Sequence, residues 1–233
     1  SVNIFNRELT GDTLTLIGGQ PFLMYTRYFD HPVNDKAAQY IFEKFQSFGL
    51  ETRYQVNDTA VKNVIGIKWG PKYPNKQYLI GAHYDNFAYT GDTIHGADDN
   101  ASGTCGVLEA ARVLAPYSFD YTLIFVAFDG EELGLFGSKA YADSAFYNHD
   151  SLLGVINLDM LGWDSDNDNV LEVGVNQASL WLGKLMEGSC LVYQPHLVPQ
   201  LNIGTGGGGG HGFFLDRGFS CGVYFANPSG FYY

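Results

Sequence analysis

The chain has 233 residues, a length that fits one large α/β domain better than two ordinary ones. With 45% hydrophobic and 16% charged residues it can bury a substantial core, which excludes global disorder. Asp plus Glu total 25 against 13 Lys plus Arg, a formal charge of -12 that argues against nucleic acid or an anionic membrane as main partner and leaves room for bound cations.

In chain order, the first 55 residues read as helical with one break. Ala37, Ala38, Tyr40, Ile41, Phe42, Phe45 and Phe48 recur at helical spacing until Gly49 stops the run. Glu51–Val56 and Val61–Trp69 read as strands, residues 70–75 (Gly-Pro-Lys-Tyr-Pro-Asn) as a turn, and Gln77–His83 as a strongly apolar strand. Ala101–Ala115 predicts a small-residue helix that Pro116 ends. Tyr121–Phe128, the longest clean apolar run, predicts a buried strand and is far short of the ~20 residues that span a bilayer. A helix from about Leu133 to Ala145 follows, then strands at Leu152–Leu158 and Val170–Val175, helical spacing over Ala178–Met186, and a last strand at Phe219–Phe225. Strands alternate with helices, and the central strands are unbroken apolar runs. The expected architecture is therefore α/β: a single domain over residues 1–233 with a mostly parallel central sheet and helices on both faces. The run Gly-Thr-Gly-Gly-Gly-Gly-Gly at 204–210 offers almost no side chains to pack and predicts a mobile loop. Cys105, Cys190 and Cys221 form no CxxC spacing, so the fold is not disulfide-dependent, and Cys190 and Cys221 read as small buried hydrophobes rather than a pair. Ser1 to Phe5 lack the succession of a signal peptide.

In an open parallel sheet, ligands bind at the carboxyl ends of the strands. His83 and Asp85 follow the strand that ends at Ala82. Asp129, Glu131 and Glu132 follow Phe128, and Asp159 follows Leu158. Gly96-Ala97-Asp98-Asp99-Asn100 leads into a helix between the first two. A single Asp at a strand end often only caps a helix. Four acidic ends together repel one another and desolvate badly unless a cation offsets them. His, Asp and Glu without a nearby Cys suit zinc at a catalytic site. Of two adjacent glutamates, one can bind metal while the other stays free to move a proton. The alternative is a solvated helix N-terminus, where both acids favourably meet the dipole.

Four segments carry a resemblance to a known family: His83-Tyr84-Asp85, Gly96 to Gly103, Phe128 to Gly134 with Gly137-Ser138, and Asn157-Leu158-Asp159-Met160. In this order they resemble the co-catalytic di-zinc aminopeptidases, whose relatives include glutamate carboxypeptidase and glutaminyl cyclases, over about Thr26 to Ala226. The resemblance implies a zinc-dependent exopeptidase fold and two zinc ions, with cobalt or manganese as substitutes. It implies that Asp98 bridges the ions, that His83 and Asp159 complete one site, and that Glu132 and a late His complete the other. It further implies that Glu131 is the general base and acid acting on a metal-bridging water, that Asp85 orients the His83 ring, and that the Asp98–Asp99 peptide is cis. The family places the late His in a Ser-Asp-His-x-x-Phe segment before Gly and an apolar strand. His211-Gly212-Phe213-Phe214 fits that frame, with His95 the runner-up, while His31, His149 and His196 read as surface or loop residues. Gly209-Gly210 replaces the family's Ser-Asp, which would loosen His211. The family also continues past the last strand with a His-Thr-x-x-Asp segment and a closing helix, which the sequence ending at Tyr233 lacks.

The implied activity is removal of N-terminal residues from peptides with a free N-terminus, with no nucleic acid and no membrane span, in a secreted or periplasmic setting. Rival readings are a glutaminyl cyclase using one zinc for acyl transfer, a carboxypeptidase or dipeptidase specificity, and a catalytically dead binding domain. The last is disfavoured because all six positions are present.

Overall fold

The computed structural model describes residues 2–57, 60–87, 93–164, 167–204 and 209–225. Helix α1 (Val2–Leu9) turns Phe5 and Leu9 inward, and a small antiparallel hairpin of β1 (Thr15–Ile17) and β2 (Gln20–Phe22) follows it. The N-terminal stretch is thus not simply helical, because three-residue strands are too short to show a period of two. Helix α2 (Asn34–Ser47) buries Ala37, Ala38, Tyr40, Ile41 and Phe45, and Gly49 ends it at φ +80°. That left-handed position costs glycine least.

Next come β3 (Glu51–Val56), β4 (Lys62–Lys68) and β5 (Tyr73–His83), the last beginning inside the stretch read as a turn. A wide turn over Ala97–Ser102 precedes α3 (Gly103–Leu114). The remaining elements are β6 (Tyr121–Phe128), α4 (Phe136–Tyr147), β7 (Ser151–Leu158), β8 (Val170–Val175), α5 (Leu180–Tyr193), β9 (Val198–Ile203), α6 (Gly212–Asp216) and β10 (Cys221–Phe225). Strand β9 and helix α6 have no counterpart in the sequence reading. Residues 205–208 of the glycine run and the tail beyond 225 lie outside the described residues.

Eight strands form one sheet in the order β3-β4-β6-β5-β7-β10-β8-β9. The four central strands β6, β5, β7 and β10 run parallel to one another, and β4 and β8 flank them antiparallel. This is the expected mostly parallel core with antiparallel margins. Phe125 and Ala127 pack with α1, α2 and α3 on one face, and Val126 and Phe128 pack with α4 and α6 on the other. Leu182 and Met186 of α5 cover Val173. All three cysteines are free and buried. Among the described residues no helix is long and apolar enough to cross a membrane.

Gly137 in the first turn of α4 shows how tightly the sheet edge is closed. Its N–H donates to Asp129 O at 2.8 Å, and a Cβ there would lie 2.3 Å from both Asn63 Oδ1 and that carbonyl. Gly188 on α5 has nothing within 4 Å of the same position. Gly137→Ala is therefore expected to cost about 1–3 kcal/mol, a loss of a few degrees in Tm for a chain of this size. Gly188→Ala is expected to leave Tm unchanged or raise it, because alanine favours the helix interior. Thermal unfolding of the two variants checks the contrast.

Candidate metal centre

The parallel register sets His83 opposite Phe128 and Gly81 opposite Asn157, so the three strand ends emerge side by side. His83 is 4% exposed. Its Nε2 lies 3.1 Å from Asp99 Oδ1 and 3.5 Å from Asp159 Oδ1. Its Nδ1 faces Asp85, 3.1 Å from the backbone carbonyl and 3.4 Å from carboxylate Oδ1. The ring is thus held at one nitrogen and offered at the other, as in metal sites where a partner fixes the imidazole. Two groups of possible ligand atoms lie within 4.8 Å of one another: His83, Glu131 and Asp159, and His83, Asp99 and Glu132.

Asp98, the expected bridging residue, belongs to neither group, whereas Asp99 belongs to one. The Asp98 carboxylate is used elsewhere: its Oδ1 accepts from Gly162 N at 2.7 Å and lies 3.4 Å from Ser102 Oγ. The cis peptide is likewise Asp99–Asn100 rather than Asp98–Asp99. Asn100 is buried and ties this turn to the segment that carries Asp159. Its Oδ1 accepts from Gly103 N and Met160 N, and its Nδ2 donates to Leu158 O.

The Glu131-Glu132 pair stands on a turn rather than on a helix N-terminus, since α4 starts only at Phe136. Gly130 at φ +67° begins the turn, and Glu131 O accepts from Gly134 N and Leu135 N. Asp85 reaches this turn too: its two carboxylate oxygens accept from Glu131 N at 3.1 Å and Glu132 N at 3.2 Å. One buried carboxylate therefore positions both the histidine and the two glutamates. Burial pushes Glu131 up to about 7 and Glu132 up to about 8, with neighbouring acids adding to the shift. Burial would lower His83, but the carboxylates of Asp159, Asp85 and Asp99 outweigh it and hold the ring well above its ordinary value. Burial would raise Asp99, but its contact with His83 and the charge of Arg27 hold it below the usual carboxylate value. Asp129 is a buried brace that accepts from Asn34 Nδ2 and Lys62 N, each at 3.0 Å, and burial raises it to about 7.

His211 is 2% exposed and immediately precedes α6. A Cβ on Gly209 would lie 3.4 Å from Asp159 Oδ2 and 3.7 Å from His211 Nδ1, which places the His211 ring on the Asp159 side of the site. It is in neither group of three ligand atoms. His95 turns Nδ1 to Thr10 O at 2.7 Å, and His31 Nδ1 accepts from Val33 N. Asp99, Asn100 and Arg27 had no assigned role from sequence. The doubled Asp hid the first, and the burial of the other two leaves no local signature.

The converging donors are one imidazole and several carboxylates, with no thiol. Both glutamates are pushed up by burial and, to a lesser degree, by neighbouring acids, a cost that a cation would relieve. Such a donor set fits a divalent metal, zinc included.

Comparison with known proteins places this site in a family. The aminopeptidase YwaD of Bacillus subtilis is 34% identical over 174 residues, 72% of this chain and 36% of that protein. A probable zinc metalloprotease of Pyrenophora teres f. teres is 37% identical over 117 residues, 48% of this chain and 25% of that protein. The chain thus spans about a third or less of the length of these curated relatives. In fold it is similar to the LapA aminopeptidase of Legionella pneumophila, with a TM-score of 0.80 at 17% identity over 97% of this chain and 60% of that one. Residues 63–229, which include every candidate metal ligand, match the model of Peptidase family M28, and the chain belongs to that family.

Proposed function

We propose that the chain is the catalytic domain of a zinc-dependent aminopeptidase. The observation that carries this reading is the position of His83 Nε2 between the Asp99 and Asp159 carboxylates, with Glu131 and Glu132 in reach of the same point. In this reading His83, Asp99 and Asp159 would hold one ion, and Glu132, with Asp99 and His211, would hold a second. Bound zinc would polarise a peptide carbonyl and acidify a water. Glu131, whose carboxylate lies beside His83 and Asp159, is placed to act as the proton shuttle. It takes the proton of the attacking water and returns it to the departing amine, so the peptide bond breaks with no net proton change at the residue. Asp85 keeps the Glu131 backbone and the His83 ring in place during both transfers. The acidic cluster also favours a cationic α-amine at the substrate's N-terminus, which restricts cleavage to chain ends.

Glu131→Gln is expected to keep its zinc and lose roughly 10²–10⁴-fold in kcat on aminoacyl anilides, the range for a lost general base. Near-normal turnover would remove Glu131 from this role. Loss of ammonia from an N-terminal glutaminyl peptide, without release of an amino acid, would turn the assignment to a cyclase.

The titration of the site gives a second test, in the metal-free protein. Glu131, Glu132 and Asp129 rise on folding to about 7, 8 and 7, and His83 also rises. The folded state therefore holds protons that the unfolded chain releases. For these acids the fold is strongest at low pH and weakens as pH climbs through their raised values. The support from protonated His83 fades in the same direction. Tm of the metal-free protein is expected to fall between pH 5 and pH 8.5, and saturating zinc is expected to abolish most of that fall. A Tm that stays level or rises over this window without metal would contradict the electrostatic picture.

A further inference from the structure

Arg27 is fully buried at 0% exposure, outside the segment that matches the family model. Among the described residues its guanidinium forms no ion pair with the nearby acids and instead makes four hydrogen bonds to backbone carbonyls. Nε donates to Tyr84 O at 2.7 Å, Nη1 to Leu9 O and His95 O at 2.8 Å each, and Nη2 to Gly96 O at 2.8 Å. These acceptors belong to three separate pieces of chain: the end of α1, the residue after His83, and the turn that leads to Asp99. Its own backbone N–H is held by Asn86 Oδ1 at 2.9 Å.

The packing around this fork leaves no slack. Gly96 sits at φ +49°, and a Cβ there would lie 2.9 Å from Arg27 Nη2, 2.7 Å from Asn86 Cβ and 2.6 Å from Asp99 O. Helix α1 reinforces the same turn: Asn6 Nδ2 donates to Ala97 O at 3.1 Å, and Thr10 O meets His95 Nδ1 at 2.7 Å. The planar fork, with donors fixed in direction, matches these diverging carbonyls in a way an ammonium cannot.

We propose that Arg27 is a positioning residue that presets the Gly96–Asp99 turn against the His83 strand, so that the Asp99 carboxylate is aimed before metal arrives. This inference rests on the metal-centre reading above. It makes the N-terminal helix and the Arg27 segment part of the site's machinery, although neither supplies a ligand.

The test uses Arg27→Lys in the full chain, which keeps the charge and loses the fork. Metal-free protein is titrated with cobalt, followed by visible absorption. The variant is expected to bind cobalt about 10–100-fold more weakly, the range seen when residues behind the ligands are changed. Its visible spectrum should shift, and at saturating metal KM should stay within about twofold while kcat falls. Ile41→Val, which trims a methyl from the core of α2, is the stability control and should leave cobalt affinity unchanged. A folded Arg27→Lys protein with parental affinity and spectrum would overturn the proposal. If that variant does not fold, hydrogen exchange in the parent protein decides. The peptide covering residues 95–101 should be protected without metal; rapid exchange there that slows only on adding cobalt would overturn the proposal. A parent chain that binds no cobalt at all would instead overturn the metal-centre reading itself.

Discussion

The imidazole of His83 stands where the ends of parallel strands meet, and most of the site depends on that placement. It rides at the end of β5, whose register with β6 and β7 was set by apolar runs that bury on both faces. Sliding one of those runs by a residue would turn its side chains to the opposite face, so the hydrophobic core fixes the register strongly. The same register brings Asp159 and the Glu131-Glu132 turn up beside His83. The polar geometry is therefore a by-product of core packing, and it costs the fold carboxylate repulsion at its carboxyl edge.

That repulsion is contained by the contacts of the His83 ring with Asp85, Asp99 and Asp159 and by a ring of hydrogen bonds around the acids. Asp85 spans His83 and both glutamate N–H groups. Asn100 spans the Asp99 turn and the Asp159 segment. Arg27 spans that turn, the His83 strand and α1. Each of these bridging residues is buried, and each joins pieces of chain far apart in sequence. Removing one would leave several buried polar groups without partners, which costs more than the bond itself. The candidate centre is preorganised in this sense: its side chains are aimed by the protein, and a metal would complete an arrangement that already exists.

The central strands were legible because unbroken runs such as Tyr121–Phe128 admit few other readings, and that strand is observed at those bounds. The clustering of His83, Glu131, Glu132 and Asp159 was legible for a related reason: each directly follows such a run or lies within a few residues of its end. What escaped was short or edge-like. Strands β1 and β2 have three residues each, and β9 carries Pro199 at the sheet margin, where a missing N–H is tolerated. The choice between Asp98 and Asp99 escaped because two identical neighbours differ only in direction. The turn sends one toward Gly162 and the other toward His83. Arg27 escaped because a single arginine carries no local signature, and only the assembled carbonyls explain its burial.

The most direct measurement is zinc content per chain, by elemental analysis after dialysis, for the parent protein, Asp99→Asn and Asp98→Asn. Two ions in the parent are expected, with a marked loss in Asp99→Asn and near-parental content in Asp98→Asn. A parent chain that retains no zinc after zinc is supplied would contradict the metal centre. Loss of zinc in Asp98→Asn with retention in Asp99→Asn would contradict the arrangement of ligands around His83.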